Sequence, residues 1–412
     1  MKNQIIGRFI LAFMIIMTAS SMAQEKNVKD IPGPDEVTFS RGATNHKSAP
    51  KGIYAIVPWG KVPKDSTWKD PCVEGVTIRR YWNDLNPEKG VYDWVELKSM
   101  FAQAHTYSKK IHLIIAPGFF APDWVMKKAD TASFIVPHGP KAYRGKMLPL
   151  PLPWDKTYLN LWFTFVDTLA KKFGPDSALS LVAVTGPNSH NGEVNLPSDA
   201  SDWEILKEKK YKGYDPIQKW KDIVGGGPQA EERLKNKMLR AYGKTLVHFH
   251  QAFAGRHKKH YSLQIFNESL PIKNNPGGKV SPIQQAYQDS LIALAVAKPG
   301  KHFVLMNGGL AAWPIAGLIS KRYPHRPPPQ WLRIQSLSLD GNVTGFQTKD
   351  PDKDDGAPGT LPPFEIFRLT IKNGILFGAG FLEIFEDDIH HESFRDLIAA
   401  GSVLLGGKCN CE

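Results

Sequence analysis

The sequence is poor in cysteine and has no long run of basic residues. Three of its 412 residues are cysteine, and no run of Lys and Arg exceeds two residues, although 52 basic residues against 40 acidic ones give a net charge of +12. A protein that binds a polyanion through charge alone normally concentrates its basic residues on one face. The scattered excess therefore argues against nucleic acid as the partner.

Ligand sets for metals and phosphate-binding loops are also missing. Asp350, Asp352 and Asp354 alternate as they do in a calcium-binding loop. The glycine, however, comes one place late, at 356, and the last position of the loop is Leu361 rather than Glu. No predicted strand is followed by a glycine-rich loop that opens a helix. The sequence therefore predicts neither a metal site nor a cofactor.

No apolar segment is long enough to cross a membrane. Residues 9–17 form an apolar run of nine residues, whereas a spanning helix needs about 20. A basic start precedes this run and the small residues Ser21 and Ala23 follow it, as in a signal peptide that is cut after Ala23. We therefore expect residues 1–23 to be a signal peptide. The mature protein would be exported, to the periplasm or outside the cell, without a membrane anchor.

Short apolar segments alternate with amphipathic helical segments along most of the chain. The predicted strands cover residues 52–58, 75–81, 111–116, 179–185, 261–266, 303–307, 343–347 and 380–385. The predicted helices cover residues 94–108, 156–173, 231–256, 282–297, 361–373 and 392–405. Such alternation indicates a parallel sheet covered by helices, and eight strands favour a closed (β/α)8 TIM barrel over an open doubly wound sheet. We expect one α/β catalytic domain at 51–406, after a polar linker at 24–50 and before a tail at 407–412.

The three cysteines fit this barrel. Cys72 stands just before the second strand, whereas Cys409 and Cys411 end the chain. The entry to the second strand and the exit of the last helix both lie at the bottom face of a barrel. We therefore expect a disulfide between Cys72 and either Cys409 or Cys411, as suits an exported protein.

A motif after the second strand resembles a known group of enzymes. Residues 79–94 follow the pattern R-x-x-W-x-x-L-x-P-x-x-G-x-Y-D-W, and Pro122-Asp123-Trp124 follows the third strand. Over about 50 residues this is similar to the clan A glycoside hydrolases, which include barrel β-galactosidases. The resemblance implies a barrel with a catalytic Glu after the fourth strand and a nucleophilic Glu on the seventh.

Glu193 is the candidate acid/base after the fourth strand. In clan A enzymes an Asn usually precedes this Glu. Here Gly192 does, and the stretch Gly192-Glu193 to Pro197 resembles the G-E-x-x-x-P segment of β-amylases. Polar neighbours such as Asn188 are candidates for sugar contacts. The resemblance thus implies that Glu193 protonates the leaving oxygen.

The second carboxylate is harder to place. The seventh strand ends in Gln347, with no Glu, whereas the eighth carries Glu383 and is followed by Glu386. We predict Glu383 as nucleophile or base, with half of a buried ion pair to Arg79 or Arg80 as the alternative. Glu386 should point away from Glu383, because side chains alternate along a strand. Glu268, after the fifth strand, is a third candidate.

Other side chains at the carboxyl ends of the strands are candidates for binding sugar. They are the aromatic residues Trp59 and Trp82, which suit the apolar faces of pyranose rings, together with Arg79, Asn307, Gln347 and Glu386. The sequence thus predicts hydrolysis of a β-linked oligo- or polysaccharide. A carbohydrate-binding barrel that lost its nucleophile is the main alternative, and a polysaccharide lyase is a further one.

Overall fold

The computed structural model describes residues 49–136, 142–198, 211–265, 269–273, 281–312, 329–349 and 362–409. Eight parallel strands close into a barrel, so the predicted (β/α)8 fold is confirmed. In order around the barrel these strands are β1 (Gly52–Ile56), β2 (Val73–Tyr81), β3 (Lys110–Ala116), β6 (Leu179–Ala183), β7 (His260–Ile265), β8 (Phe303–Leu310), β9 (Val343–Thr348) and β10 (Phe381–Phe385), which pairs with β1.

Helices follow the strands and cover the outside of the barrel. The longer ones are α3 (Val95–Thr106), α5 (Lys156–Phe173), α6 (Pro216–Ile223), α7 (Ala230–Phe249), α8 (Pro282–Val296), α9 (Pro329–Leu339), α10 (Pro363–Leu376) and α12 (Arg395–Leu404). The short ones are α1 (Asp65–Lys69), α2 (Trp82–Leu85), α4 (Asp123–Met126) and α11 (Glu386–Ile389). Helix α5 has the bounds predicted from the sequence. Its start is fixed by Asp155, which caps the helix by accepting a hydrogen bond from the Tyr158 N–H at 2.7 Å.

The loop after β3 contains a hairpin that the sequence did not predict. Strands β4 (Thr131–Ile135) and β5 (Met147–Pro151) pair antiparallel, with Ser133 opposite Pro149. Proline lacks the N–H that a central strand needs, so a segment with two prolines in five residues does not predict a strand. Both strands of a two-stranded sheet are edges, and edges tolerate proline.

Alternating side chains build two cores, one on each side of the barrel wall. On β8, Phe303 and Leu305 join the large core under the helices, whereas Val304 and Met306 join a small apolar cluster inside the barrel. On β10 the inner cluster includes Phe381. Because side chains on a strand alternate, Glu383 points into the barrel as Phe381 does.

The two ends of the described chain meet at the bottom of the barrel. Cys72 and Cys409 form a disulfide, and the Gly52 N–H donates to the carbonyl of Leu405 at 3.1 Å. Cys411 lies outside the described residues, as do residues 1–23 and most of the linker. Within the described ranges, no helix is long and apolar enough to cross a bilayer.

Candidate active site

The loop that carries Glu193 is anchored by buried aromatic donors. Trp162 Nε1 donates to the carbonyl of Thr185 at 2.7 Å, and the Tyr158 hydroxyl donates to the carbonyl of Gly186 at 2.7 Å. Trp220 Nε1 donates to the carbonyl of Pro197, near the far end of the loop, at 3.0 Å. Buried Tyr and Trp side chains need a partner for their polar atoms, and here the loop carbonyls provide it. The loop is therefore fixed to α5 and α6.

A second anchor comes from the loop after β3. The Phe119 N–H donates to the carbonyl of Ser189 at 2.8 Å, and Gly118 lies directly against that carbonyl. Gly118 has a φ of +61°, and a Cβ there would lie 2.1 Å from the Ser189 oxygen. Only glycine fits both the conformation and the space. The loops that follow the third and fourth barrel strands are therefore in direct contact.

Glu193 follows β6 at the carboxyl edge of the barrel. The chain there forms a bridge to Gln264 of β7, and the Val194 N–H donates to the Gln264 carbonyl at 2.9 Å. The Glu193 carboxyl accepts a hydrogen bond from Asn195 Nδ2 at 3.0 Å, and its N–H donates to Asn191 Oδ1 at 3.1 Å. The loop therefore holds the carboxyl in a fixed place beside β7.

The environment of Glu193 suits a proton donor. Burial raises its pKa to about 7, and the hydrogen bond to Asn191 and the charge of Arg79 oppose part of that rise. A carboxyl with this pKa is partly protonated near neutral pH. It can therefore give up a proton and accept one at the same pH.

Glu383 lies in the barrel interior with no exposed surface. Thr77 Oγ1 donates to its Oε1 at 2.5 Å, and Nδ1 of His112 contacts the same oxygen. His112 Nε2 in turn lies 3.2 Å from Oγ of Ser262. The other carboxylate oxygen, Oε2, is buried and has no hydrogen-bond partner among the described residues. One oxygen of Glu383 is thus held by the protein, and the other is not.

The partner of Glu383 is His112 rather than an arginine, which corrects the predicted ion pair. Arg80 points away from the barrel interior, where it contacts Glu96 and donates to the carbonyl of Gly60 at 2.8 Å. Arg79 points inward and lies near both acids without bonding to either. Burial lowers its pKa to about 10, while the charges of Glu383 and Glu193 act in the opposite direction.

Trp59 and Gln347, two of the predicted binding residues, are partly exposed in the structure. Trp59 stacks on Tyr81, with ring centres 5.4 Å apart, and Arg79 lies over the same indole. Gln347 Oε1 accepts a hydrogen bond from Gln264 Nε2 at 2.9 Å, and Gln347 is paired in register with Glu383. Gln264 therefore connects the Glu193 loop to the seventh barrel strand.

Two of the predicted binding residues serve the fold instead. Trp82 has no exposed surface and packs edge-on against Trp162 with ring centres 4.9 Å apart, so it cannot stack on a sugar. Glu386 is nearly as buried, and its Oε1 accepts hydrogen bonds from the Lys64 N–H at 2.7 Å and from Thr67 Oγ1 at 2.6 Å. These contacts place Glu386 against α1 and away from Glu383.

Two predicted amides also bond to backbone. Asn188 Oδ1 accepts from the Gly186 N–H at 2.8 Å, and its Nδ2 donates to the carbonyl of Asn191. Asn307 Nδ2 donates to the carbonyl of Ile265 at 2.8 Å, and its Oδ1 accepts from the Gly309 N–H at 3.0 Å. Both side chains shape loops, and neither amide is left to bind a sugar hydroxyl. Glu268 lies outside the described residues.

Four polar residues beneath the mouth of the barrel are not among the site residues predicted from the sequence. Thr77, His112, Ser262 and Gln264 are all buried on strands whose neighbours are mostly apolar. Each stands at an inward position of its strand, and a polar residue at such a position is unusual in a barrel core. Polar residues at inward positions of otherwise apolar strands could therefore have identified these four residues from the sequence. Within the described ranges, no three His, Cys, Asp or Glu side chains are grouped as metal ligands, and Asp350, Asp352 and Asp354 lie outside those ranges.

The fold is shared with solved structures of low sequence identity. The catalytic domain of β-amylase from Paenibacillus polymyxa superposes with a TM-score of 0.56 at 12% identity, over 87% of this chain and 100% of that one. The β-galactosidase from the Antarctic haloarchaeon Halorubrum lacusprofundi has a TM-score of 0.50 at 10% identity, over 86% of this chain and 58% of that one. No protein-family model and no curated protein sequence matches the chain. The chain therefore shares the barrel fold of these two proteins.

Proposed function

We propose that the protein is a glycoside hydrolase that cleaves a β-linked oligo- or polysaccharide without a cofactor. One observation carries the proposal. Glu193, with a pKa raised to about 7, follows the fourth strand of a (β/α)8 barrel, at the edge where such barrels carry their active sites. The similarity in fold to a β-amylase and a β-galactosidase supports it.

The chemistry assigns different tasks to two carboxyl groups. Glu193 protonates the oxygen of the leaving sugar as the glycosidic bond breaks. If Glu383 attacks the sugar carbon and forms a glycosyl-enzyme, Glu193 then takes a proton from the water that cleaves that bond; if Glu383 is the base, it takes the proton of the attacking water itself. Glu383 is the proposed second carboxylate, acting through Oε2, the oxygen that the described protein leaves without a partner. Thr77 and His112 hold the other oxygen and so fix the orientation of the carboxylate. Trp59, Arg79 and Gln347 are proposed to contact the sugar at the mouth.

A carbohydrate-binding barrel without hydrolytic activity is the second candidate. Two observations favour it. The seventh strand carries Gln347 where clan A enzymes carry a nucleophile, and Glu383 has no exposed surface. In that case the barrel would bind sugar at its mouth and release no product.

We also propose that the protein is exported, to the periplasm or outside the cell. The basic start, short apolar run and small residues of positions 1–23 support this. The disulfide between Cys72 and Cys409 supports it as well, because disulfides persist in oxidising compartments.

The test is incubation of the purified protein with β-linked oligo- and polysaccharides, both neutral and acidic, with the products identified by mass spectrometry. We expect saturated sugars carrying one added water for each bond cleaved. Glu193→Gln should lower the rate at least ~100-fold, the size expected for loss of an acid/base catalyst. Glu383→Gln should lower it comparably. Glu88→Gln, at an exposed turn, is the matched control and should leave the rate unchanged.

Each other outcome points to a different function. Binding without product would favour the carbohydrate-binding barrel. An unsaturated product that lacks the added water would indicate a lyase. Full activity in Glu193→Gln would remove Glu193 from the mechanism, and full activity in Glu383→Gln would do the same for Glu383.

A further inference from the structure

Arg79 is held in a fixed orientation at the mouth of the barrel. Its Nε donates to the carbonyl of Val57 at 2.8 Å. Its guanidinium carbon lies 5.2 Å from the ring centre of Trp59 and 6.0 Å from that of Phe385. One backbone acceptor and two aromatic rings thus set the plane of the guanidinium. The two terminal nitrogens, Nη1 and Nη2, bond to none of the residues that the structure describes.

Several other arginines of the described chain form an ion pair with a carboxylate, and Arg79 does not. Arg80 contacts Glu96, and Arg395 contacts Asp70. On the outer helices, Nε of Arg333 lies 2.6 Å from Asp289. An inward-facing cation at a partly buried position is costly unless it is paired, and the lowered pKa of Arg79 expresses that cost.

The two acids whose charges act most strongly on Arg79, Glu383 and Glu193, form their hydrogen bonds with other residues. Oε1 of Glu383 accepts a hydrogen bond from Thr77 and contacts His112. The Glu193 carboxyl accepts its hydrogen bond from Asn195. Neither acid forms an ion pair with Arg79, so the two terminal nitrogens remain available at the mouth for an anion from outside the protein.

We propose that Arg79 forms an anion subsite and that the glycan bound at the mouth is acidic, with a carboxylate or a sulfate on its sugar. This inference rests on the glycoside hydrolase function proposed above. A guanidinium offers two parallel N–H donors, which match the paired oxygens of either group. The charge of Arg79 acts on Glu193, so we expect the acidic sugar to sit near the bond that is cleaved.

Binding is measured in a Glu193→Gln background, so that turnover does not consume the ligand. Three β-linked oligosaccharides of equal length are titrated by calorimetry: a uronate oligomer, a sulfated galactan oligomer and a neutral galactan oligomer. We expect one of the acidic ligands to bind at least about tenfold more tightly than the neutral one, the strength of a charge-assisted hydrogen bond. The preferred ligand then identifies the anion as carboxylate or sulfate.

The decisive comparison adds Arg79→Gln to that background. It should weaken the preferred acidic ligand about 10- to 100-fold and weaken the neutral ligand by a clearly smaller factor, because only the acidic ligand loses a charge-assisted contact. Arg333→Gln, which removes one positive charge from the outer helix α9, is the matched control and should change neither affinity. Arg79→Lys keeps the charge but not the paired donors, and should weaken acidic binding to an intermediate degree.

Several results would overturn the proposal. They are equal binding of acidic and neutral ligands, acidic binding that is unchanged by Arg79→Gln, and no binding of an acidic ligand by the folded protein. If circular dichroism shows that Arg79→Gln is unfolded, Arg79→Lys decides, and unchanged acidic binding in it counts against the subsite. Acid-selective binding by a wild-type protein that hydrolyses nothing would overturn the catalytic function and leave the subsite supported.

Discussion

Asn195 donates a hydrogen bond to the carboxyl of Glu193 at 3.0 Å, and the two residues lie on the same anchored loop. The bond favours the charged carboxylate. Burial favours the neutral acid and prevails, raising the pKa to about 7. The hydrogen bond to Asn191 and the charge of Arg79 also lower the pKa, and the balance between these groups and burial sets the pH at which Glu193 can act.

The first prediction concerns the pH dependence of hydrolysis. Only the protonated acid can donate, so kcat/KM should fall as the pH rises through about 7. Asn195→Ala removes a donor from the charged form, which raises the pKa and should move this falling limb to higher pH. Asn160→Ala, at an exposed position of α5, is the control. A limb that stays in place in Asn195→Ala would contradict the assignment of Glu193 as the donor.

The same group makes stability depend on pH. The folded pKa of Glu193 is about 7, above the ~4.3 of an unfolded chain, so the folded protein binds more protons between these values. The contribution of Glu193 to stability is therefore full below about pH 4 and is lost as the pH rises through 7. Glu193→Gln stays neutral and should gain stability relative to wild type as the pH rises. Urea unfolding at several pH values measures this, and Glu88→Gln should show no such trend.

The third prediction concerns the hydrogen bond from Thr77 to Glu383. Thr77→Val keeps the shape of the side chain but removes one of the two groups that contact Oε1 of the buried Glu383 carboxylate, and leaves His112 as the other. We expect the free energy of unfolding to fall by about 1–3 kcal/mol. Thr164→Val, on the exposed face of α5, is the matched control. Equal losses of stability in the two variants would mean that the bond contributes nothing of its own.

Gly118→Ala should disturb the loop that carries Glu193. Its Cβ would lie 2.1 Å from the Ser189 oxygen, so the two loops must move apart. We expect lower stability together with lower hydrolytic activity. Gly90→Ala shares the strained φ, at +81°, but has nothing within 4 Å of its Cβ and therefore isolates the effect of backbone strain. A Gly118→Ala variant as active as Gly90→Ala would show that this contact does not position Glu193.

The fifth prediction concerns the disulfide. Cys409→Ser removes the bridge to Cys72 and should lower the free energy of unfolding by about 2–5 kcal/mol, because the open chain gains conformational freedom. A reducing agent should lower wild-type stability in the same way and leave the variant unchanged. Cys411→Ser serves as the control. If it were as damaging as Cys409→Ser, Cys411 would be the partner of Cys72.

Periodicity predicted the barrel because each buried strand and each amphipathic helix carries its own local pattern. It did not predict the hairpin of β4 and β5. Prolines are unfavourable in a central strand, and β5, which contains two of them, is tolerated because it pairs with β4 alone. It also gave no sign of α9, between the sixth and seventh barrel strands. Tertiary packing decides such elements, and a single sequence does not show it.

The residues of the candidate site could be predicted only in part from the sequence, for a related reason. Glu193 stands out because its loop is polar, whereas Trp82 looks like a rim residue until α5 is packed over it. Asn188 and Asn307 carry the right groups for sugar hydroxyls, but neighbouring backbone atoms use those groups. Which polar atoms remain free is a property of the folded chain. Residue type alone therefore overstates the number of binding residues.

The bridge between Cys72 and Cys409, 337 positions apart in sequence, turns nearly the whole barrel into one covalent ring. Tension applied at the two chain ends would pass through the sulfur atoms and bypass the strands in between. The bottom of the molecule is thus a mechanical anchor point. A support or tag attached there would leave the opposite rim unobstructed.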